Sequence, residues 1–288
     1  MKKLLFLVNQ QKESYQAFVS AGKKADVEVQ VVPSHDVVIQ VNDHKNEIFA
    51  QQHPLEYYDL VYFRSLIRSP ETHMAIVDKC NTLNIPVYDK SVRCQHPYIE
   101  GKMFDYMKLS RNAIPLIPSQ YLDFNHYAKI AHQFSYPLVV KISNGSQGRG
   151  VHLCHNSDEV KTVYSQYSQP LMVQPFIQND GDLRVFVIGE KAIATIKRKA
   201  SKKDEFRNNA SLGGDASLYQ IGPVEEELAI KAVKTLNHSI AGVDLVFDES
   251  DQTWKVLEVN RAPQYDALVR VTGIDIPLKM VEFLRDQC

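Results

Sequence analysis

The sequence predicts an α/β protein whose C-terminal part changes to an α+β arrangement, and three observations support this prediction. In the first third, short apolar strands alternate with amphipathic segments, a pattern typical of a parallel sheet covered by helices. From about residue 170, several strands follow one another with no helix between them, which is typical of an α+β arrangement. The length of 288 residues is enough for about two compact units.

Composition excludes several classes of protein. Hydrophobic residues make up 44% of the chain and charged residues 23%, which is ordinary for a globular protein and excludes disordered, collagen-like and coiled-coil chains. The net charge of -1 argues against nucleic acid or an anionic membrane as the main partner. The four cysteines form no CxxC pair, so we expect reduced thiols and no zinc knuckle at Cys80, Cys94, Cys154 and Cys288.

The N-terminal segment MKKLLFLVNQQ predicts a buried strand over residues 3–8. Its apolar run, Leu4 to Val8, is shorter than the roughly 7–15 residues of a secretory signal. No stretch approaches the ~20 apolar residues of a membrane span. We therefore expect a soluble, cytoplasmic protein.

The elements of the N-terminal part follow in order. Helical spacing is present at Tyr15, Phe18 and Val19, and Ser69-Pro70-Glu71 is typical of a helix start, with Met74, Val77 and Cys80 on one face. Strands are predicted at 3–8, 27–32, 59–64 and 84–89. We place this α/β domain at 1–95.

The later elements are predicted in the same way. A helix at about 99–112 has Met103, Tyr106, Met107 and Ser110 on one side, and a second helix follows Ser157 over 158–168. Further segments are a strand, glycine-rich loop and strand over 137–154, strands at 171–177, 183–189 and 192–198, a polar loop at 200–215, a helix at 224–239, and strands at 242–247 and 254–260.

The segment PLVVKISNGSQGRGVHL, residues 137–153, has glycines at 145, 148 and 150 and Lys141 just before them. It matches neither the Walker pattern nor the Rossmann fingerprint, because the residues after Gly150 alternate like a strand. A glycine loop between antiparallel strands, preceded by a lysine, can fold over phosphates. The alternative is a plain hairpin with a long turn.

The segment GVDLVFDESDQTWKVLEVN, residues 242–260, predicts a hairpin with a metal site. If the hairpin is symmetric about Asp251, Asp244 lies directly opposite Glu258, where two like charges destabilise a sheet. Asn260 points to the same face as Glu258. Two carboxylates and an amide oxygen suit a hard divalent cation such as Mg²⁺. The alternative is a one-residue slip that turns Asp244 toward solvent.

A basic, loop-rich stretch occupies residues 196–215. Lys197, Arg198, Arg207 and Asn209, with Gly213-Gly214, could close over an anion. The alternatives are a solvated charge run and a nucleic-acid patch, and the near-neutral chain disfavours the second. His152 and His155 flank Cys154 without the spacing of metal ligands, so we expect them to be structural.

Five segments in order resemble the ATP-grasp superfamily and, within it, the RimK-like amino-acid ligases, which are related to glutathione synthetases. The segments are GKMFDYMKLSRNAIPLIPSQYL, PLVVKISNGSQGRGV, VQPFIQNDGDLRVFVIG, IKRKASKKDEFRNNASLGG and GVDLVFDESDQTWKVLEVNRAP. The resemblance implies an ATP-grasp fold with a pre-ATP-grasp domain at 1–95, a central domain at 96–169 and a C-terminal antiparallel-sheet domain at 170–288, with ATP gripped between the last two.

The resemblance also implies roles for individual residues. Lys102 and Lys141 would reach the nucleotide phosphates, and Asp182 would accept from a ribose hydroxyl. Phosphate-loop positions are Gly145, Ser146, Gly148 and Gly150, and the adenine hinge is Gln174, Pro175, Phe176 and Ile177. Near the γ-phosphate would lie Arg198, Arg207 and Asn209, and the metal ligands would be Asp244, Glu258 and Asn260.

Two departures from the family pattern concern the hinge and the substrate region. Pro175 stands where relatives usually have Glu, so one backbone N–H donor is lost. After EVN the chain reads RAPQY, where many relatives have a small residue, Ser-Pro and then Gly. Arg261 and Gln264 would border the region of the acceptor substrate.

The function that the resemblance implies is an ATP-dependent carboxylate–amine ligase that forms an amide or peptide bond through an acyl-phosphate, adding glutamate or another amino acid. Its cofactors would be ATP and Mg²⁺, with two ions expected and Mn²⁺ as a substitute. The partners would be a small carboxylate and an amine, either an amino acid or a peptide or protein terminus, with no nucleic acid and no membrane; a homo-oligomer is compatible with the sequence. Alternative functions are an ATP-grasp kinase acting on a small molecule and a non-catalytic nucleotide-binding module.

Overall fold

A computed structural model describes residues 1–43, 45–65, 69–93, 101–143, 145, 150–200, 207–208 and 215–288. The strands in this part of the chain are β1 (Lys2–Val8), β2 (Val27–Pro33), β3 (Val37–Asn42), β4 (Lys45–Ala50), β5 (His53–Pro54), β6 (Leu60–Phe63), β7 (Val87–Tyr88), β8 (Gln120–Leu122), β9 (Leu138–Lys141), β10 (Val151–Cys154), β11 (Leu171–Pro175), β12 (Asp182–Ile188), β13 (Lys191–Lys199), β14 (Asp215–Leu218), β15 (Ile240–Asp248) and β16 (Thr253–Asn260). The α-helices are α1 (Gln16–Lys24), α2 (Pro70–Leu83), α3 (Lys102–Arg111), α4 (Phe124–Ile130), α5 (Ser157–Tyr164), α6 (Pro223–Thr235), α7 (Asp266–Thr272) and α8 (Ile276–Arg285).

The N-terminal sheet is parallel, as predicted. Its strand order is β2-β1-β6-β7, with Lys2 opposite Val27 and Leu4 opposite Leu60. One face packs on α1 and α8 and the other on α2, so β1 and β6 are buried on both sides. The strand predicted at 84–89 is reduced to the two residues of β7, and Pro86, which has no N–H to donate, precedes it.

Helix α2 begins where the sequence predicts, but its buried face differs from the predicted one. The hydroxyl of Ser69 accepts a hydrogen bond from the Thr72 N–H, and Pro70 occupies the first turn. The buried side chains are His73, Ile76, Val77 and Cys80, whereas Met74 is 37% exposed. Because steps of three lag the helical repeat by about 60° each, Met74 falls off the face that Val77 and Cys80 share.

Helix α3 buries only part of the side described from the sequence. Tyr106 and Leu109 are buried, whereas Met107 is 47% exposed and Ser110 lies on the surface. The side that carries Met103, Tyr106, Met107 and Ser110 is therefore only partly buried. The reason is that Leu109 joins the core beneath α6, and Tyr106 contacts the backbone of β16.

The central sheet has the order β10-β9-β11-β8 and is antiparallel throughout, which confirms the predicted strand–loop–strand at 137–154. Its core forms around the fully buried ring of Tyr127. Helix α5 covers this core, and its N-cap is Asn156, whose side chain accepts from the Glu159 N–H.

The C-terminal sheet has the order β14-β13-β12-β15-β16 and is also antiparallel. Helix α6 packs on one face. The other face shares a core with the N-terminal sheet, in which Phe186 and Ile188 pack in the same cluster as Leu4 and Phe6. The two sheets are therefore joined by apolar contacts, and the division of the chain at residues 95 and 169 stays a prediction.

Several elements were not predicted. Strands β3, β4 and β5 form a small antiparallel sheet, and α4, α7 and α8 are additional helices. In the described part of the chain, no helix combines the length and apolarity needed to cross a membrane.

Candidate active site

A single cavity of about 420 Å³ gathers most of the residues that the sequence singled out. Its wall is formed by α3, by strands of the central and C-terminal sheets, and by segments that follow β1 and β6. The predicted residues that line it are Lys102, Lys141, Gly145, Gln174, Pro175, Phe176, Ile177, Asp182, Arg198, Arg207, Asp244, Glu258 and Asn260.

Of the remaining predicted positions, one is described and three lie outside the described residues. Gly150 lies at the start of β10 with φ +69, where a side chain would meet Ile142, and it is not a lining residue. Ser146, Gly148 and Asn209 lie outside the described residues, as does most of the loop between β13 and β14. Arg207 is described and lines the cavity together with its neighbour Asn208.

The hairpin β15–β16 places Asp244 directly opposite Glu258, as predicted. The register that achieves this is not the symmetric one, because Asp248 pairs with Thr253 and Leu245 pairs with Val256 near the turn. One extra residue, Leu257, then shifts the register and brings Asp244 opposite Glu258 and Gly242 opposite Asn260. Without this bulge, Asp244 would face Leu257.

The hydroxyl of Tyr106 from α3 holds this bulge. It lies 3.0 Å from the Val256 carbonyl and 3.1 Å from the Leu257 carbonyl, so it can donate to the two backbone oxygens around the irregularity. Burial raises the pKa of Tyr106, which keeps the hydroxyl protonated as a donor. The side chain that fixes the register of the acidic pair therefore comes from the helix that also carries Lys102.

Two arginines hold the Asp244 carboxylate. Arg184, which lies opposite Asp244 on β12, donates from Nε and Nη2, and Arg198 Nη2 lies 3.0 Å from Oδ2. Burial favours the neutral acid, but the two guanidinium groups outweigh it and lower the pKa of Asp244. The carboxylate therefore stays charged although it is only 7% exposed.

Arg198 also joins Asp244 to Asp182. Its Nε and Nη2 donate to the two oxygens of Asp182 at 2.7 and 2.9 Å. Burial raises the pKa of Asp182, and Arg198 opposes that rise. A charge-balanced group of two acids and two arginines thus forms one end of the cavity.

Lys102 connects Glu258 to the glycine loop. Its Nζ lies 3.3 Å from Glu258 Oε1 and donates to the Gly145 carbonyl at 2.5 Å. The start of α3 is fixed on the same loop, because the Met103 N–H donates to the Ser143 hydroxyl and the Lys102 N–H to the Ser143 carbonyl. Gly101, the N-cap, has no side chain to accept from the first N–H groups of the helix, and Ser143 accepts from them instead.

Lys141 is the most deeply buried lysine of the cavity. It ends β9, is 7% exposed, and its Nζ lies 5.8 Å from the centre of the Tyr106 ring. Burial, with the neighbouring charge of Lys102, lowers its pKa to about 8, and Glu258 opposes the shift.

The predicted hinge also lines the cavity, next to the strand that carries Lys141. The Gln174 side chain is buried and donates to the Ser119 hydroxyl at 2.6 Å. The Phe176 N–H donates to the Pro137 carbonyl, and Pro175 has no N–H. Carbonyl groups of this segment, and the backbone beyond it, remain the groups through which a base would be recognised.

The sequence interpretation missed several residues of the cavity. Arg184 was missed because its partner, Asp244, lies sixty positions away, although the alternation of Asp182, Arg184 and Phe186 along β12 could have placed it on the same face as Asp182. Others come from segments far from the motifs: Lys12, Ser14, Tyr15, Arg64 and Ser65.

Of the two residues expected near the acceptor substrate, only Gln264 lines the cavity. Arg261 is not a lining residue, and its Nη1 donates to the Phe63 carbonyl at 2.8 Å.

Comparisons with known proteins define the class. A family profile for the RimK-like ATP-grasp domain matches residues 108–284. A protein named probable alpha-L-glutamate ligase from Azotobacter vinelandii (strain DJ / ATCC BAA-1303) is 32% identical over 281 residues, covering 94% of this chain and 91% of the relative. A protein of the same name from Pseudomonas entomophila (strain L48) is 32% identical over 283 residues, with the same coverage.

Solved structures show the same fold. The ATP-grasp ligase PsnB, complexed with a phosphomimetic variant of a minimal precursor, Mg and ADP, has a TM-score of 0.74 at 14% identity, covering 100% of this chain and 99% of that one. A RiPP-associated ATP-grasp ligase from Chryseobacterium gregarium, in complex with ADP and a leader and core peptide, has a TM-score of 0.75 at 12% identity, covering 100% and 98%. The fold is therefore that of the ATP-grasp ligases. The chain belongs to the RimK-like ATP-grasp family and is an ATP-dependent ligase.

Proposed function

We propose that this ligase uses ATP and Mg²⁺ to join a carboxylate to the amine of an amino acid, with glutamate as the amino acid to test first. The choice of glutamate rests on the relatives named alpha-L-glutamate ligase. Three of the structural neighbours were solved with a precursor peptide or a leader and core peptide bound, which supports a peptide as the substrate that supplies the carboxylate.

The observation that carries the proposal is the charge of the cavity. Among the described residues, seven basic and four acidic side chains line it, and Asp244 and Glu258 are brought together at one end. An excess of cations suits a nucleotide triphosphate and a carboxylate, and the opposed acids suit the cation that accompanies the phosphates.

The roles of the nucleotide contacts follow from their positions. Lys102 and Lys141 would bind the phosphates, and the segment from Gln174 to Ile177 would bind the base, which leaves Asp182 for the ribose hydroxyls. Since both oxygens of Asp182 already accept from Arg198, we propose that Asp182 also orients this arginine toward the γ-phosphate. Gly145, the loop around it, Arg207 and Asn209 would complete the phosphate contacts.

The donor groups of the proposed metal site fit Mg²⁺. Asp244 and Glu258 face each other, and Asn260 follows Glu258 by two residues on the same strand face, so three oxygen donors of the kind that Mg²⁺ prefers lie together. We propose the Asn260 amide oxygen as the third donor, beside the two carboxylates. When bound there, one or two ions, Mg²⁺ or Mn²⁺, would neutralise charge on the β- and γ-phosphates.

The reaction that the cavity supports has two steps. A carboxylate oxygen of one substrate attacks the γ-phosphorus of ATP, and the bond from this phosphorus to the oxygen that bridges the β- and γ-phosphates breaks. ADP is released, and the carboxylate has become an acyl-phosphate. The amine nitrogen of the second substrate then attacks the acyl carbon, phosphate leaves and the nitrogen loses a proton. The protein supplies positioning and charge stabilisation through its lysines and arginines, and no side-chain nucleophile is needed.

Trapping with hydroxylamine tests this proposal. The enzyme is incubated with Mg-ATP, a panel of peptides and L-glutamate, and ADP is measured with and without hydroxylamine. We expect ADP release to depend on a carboxylate substrate and a hydroxamate to form when hydroxylamine replaces the amine. A stable phosphorylated product that resists hydroxylamine would instead identify a kinase.

Replacing Lys141 by Met should weaken ATP binding by about 10- to 100-fold, because it removes a charged hydrogen bond to phosphate and keeps the apolar stem. Folding should be preserved, since the lowered pKa of Lys141 means that burial costs its charged form more than the attraction to Glu258 returns. Calorimetry with ATP and a melting curve check both expectations. Equal ATP affinity in the variant and in the unchanged protein would remove Lys141 from the phosphate site.

ATP affinity should fall as the pH rises above about 8, because Lys141 loses its proton in the nucleotide-free protein. Its pKa in the folded chain lies below the unfolded value of 10.5, so the folded chain binds fewer protons between these values and becomes more stable as the pH rises through this window. Titrations of ATP at pH 7, 8 and 9 measure the effect. The Lys141→Arg variant, whose charge is permanent, should show a flatter profile, and identical profiles would contradict the assignment.

A further inference from the structure

Arg64 is a buried cation of the cavity that the nucleotide and metal contacts do not use. It follows β6, lines the cavity and is only 6% exposed. Its Nη2 donates to the Pro263 carbonyl at 2.7 Å, but its Nε has no hydrogen-bond partner among the described residues. It also forms no ion pair with an acidic residue in that part of the chain, which is costly for a buried charge unless a ligand completes it.

The bond to Pro263 ties Arg64 to the segment that follows β16, the strand that carries two of the proposed metal donors. Pro263 comes three residues after Asn260, the third proposed metal donor. A second contact runs in the opposite direction, from Arg261 to the Phe63 carbonyl. The segment after β6 is therefore held against the segment after β16, and the guanidinium of Arg64 is fixed between them rather than free to move.

The surroundings of Arg64 favour a planar anion. Its guanidinium carbon lies 5.9 Å from the centre of the Tyr265 ring, and Tyr15 and Tyr265 both line the cavity. Aromatic walls exclude water and strengthen a charged hydrogen bond. The Nε–H belongs to the edge of the guanidinium that binds a carboxylate through two parallel bonds. In the proposed function the phosphates bind to other residues, Lys102 and Lys141.

We propose that Arg64 binds a carboxylate of the amino-acid substrate that does not take part in the reaction. This inference rests on the proposed function, and it adds a substrate-binding residue: Arg64 would bind an acid group of the amino acid whose amine is joined to the other substrate. Lys12 and Ser65, on the same wall, lie within the cavity for further polar contacts to that substrate.

The test measures binding of L-glutamate to the full chain in the presence of Mg²⁺ and a non-hydrolysable ATP analogue. We expect Arg64→Gln to weaken glutamate binding by about 10- to 100-fold, with affinity for the analogue within about twofold. Arg64→Lys keeps the charge and loses the two-bonded edge, so its loss should be intermediate. Unchanged glutamate affinity in Arg64→Gln would overturn the inference.

Two amides of glutamate identify the carboxylate concerned. Isoglutamine lacks the α-carboxylate and glutamine lacks the side-chain carboxylate. One of these amides should bind the unchanged protein as weakly as glutamate binds the Arg64→Gln variant. The affinity of that amide should be the same for the variant as for the unchanged protein. Arg64→Gln could instead weaken the binding of glutamate, glutamine and isoglutamine by the same factor. Arg64 would then bind neither of the two carboxylates of glutamate, and the inference would fail.

Arg285→Gln is the control for packing. Arg285 also joins the C-terminal part of the chain to the N-terminal part, through a bond from its Nη1 to the Ala25 carbonyl, but it does not line the cavity. This variant should leave glutamate affinity within about twofold, and a loss equal to that of Arg64→Gln would contradict the inference. A chain that binds Mg²⁺ and the analogue but not glutamate would contradict it as well, while hydroxamate formation would still support the ligase. A chain that binds no nucleotide would contradict the proposed function itself.

Discussion

Replacing Glu258 by Gln should lower turnover by about 100- to 1,000-fold, because it removes charge from the end of the cavity where the metal and the transferred phosphoryl group would lie. Glu258 lies opposite Asp244 across the hairpin and two residues before Asn260 on the same strand. Its carboxylate can therefore bind the same ion as Asp244 and Asn260. ATP binding should weaken far less, since Lys102, Lys141 and the base contacts remain. Steady-state ADP release in saturating Mg²⁺ and calorimetry with ATP measure the two effects separately.

Folding of the Glu258→Gln variant should be nearly unchanged. Each acid of the pair already faces cations, Lys102 for Glu258 and two arginines for Asp244, so their mutual repulsion is compensated before any metal binds. Glu249→Gln, in the exposed turn of the same hairpin, is the matched control and should keep full turnover. A Glu258→Gln enzyme with near-normal turnover would mean that the opposed carboxylates do not hold the metal.

Replacing Arg198 by Met should lower the free energy of unfolding by about 3–5 kcal/mol, the range found when one partner of a buried ion pair is removed. Asp182 would lose both of its hydrogen bonds while remaining buried, whereas Asp244 would keep Arg184. Urea unfolding of the variant measures this loss at neutral pH.

The double variant Arg198→Met with Asp182→Asn separates stability from chemistry. Neutralising Asp182 removes the buried charge that lost its partner, so most of the stability should return. Turnover should stay low, because the arginine that we propose to bind the γ-phosphate is still absent. Equal stability of the single variant and the unchanged protein would show that Arg198 is not a partner that Asp182 needs.

The pairing of Asp244 with Glu258 could be predicted from the sequence only in part. Alternation along 242–260 was sufficient to predict that Asp244 and Glu258 meet on one face. The symmetric hairpin used to predict it was wrong near the turn, where the pairing is offset by one residue. The bulge at Leu257 corrects the offset, and it depends on Tyr106 of α3, a contact about 150 positions away that no local pattern records.

The residues that sequence missed share this property. Arg184 and Arg64 gain their significance from partners at Asp244 and Pro263, which lie next to them only after the sheets pair and the N-terminal and C-terminal parts pack together. Local patterns were sufficient for the parallel sheet, the start of α2 at Ser69 and the hairpin β9–β10. They were insufficient for Met107, because the face that a helix buries depends on what packs against it.

The most direct test of the account is a crystal structure of the chain with Mg²⁺ and a non-hydrolysable ATP analogue. We expect oxygens of Asp244, Glu258 and Asn260 at about 2.0–2.1 Å from Mg²⁺, with the triphosphate on Lys102 and Lys141 and the base against the segment from Gln174 to Ile177. At least one Asp244 oxygen should have turned from Arg184 or Arg198 toward the ion. A nucleotide bound outside this cavity, or an ion held without Asp244 and Glu258, would contradict the account.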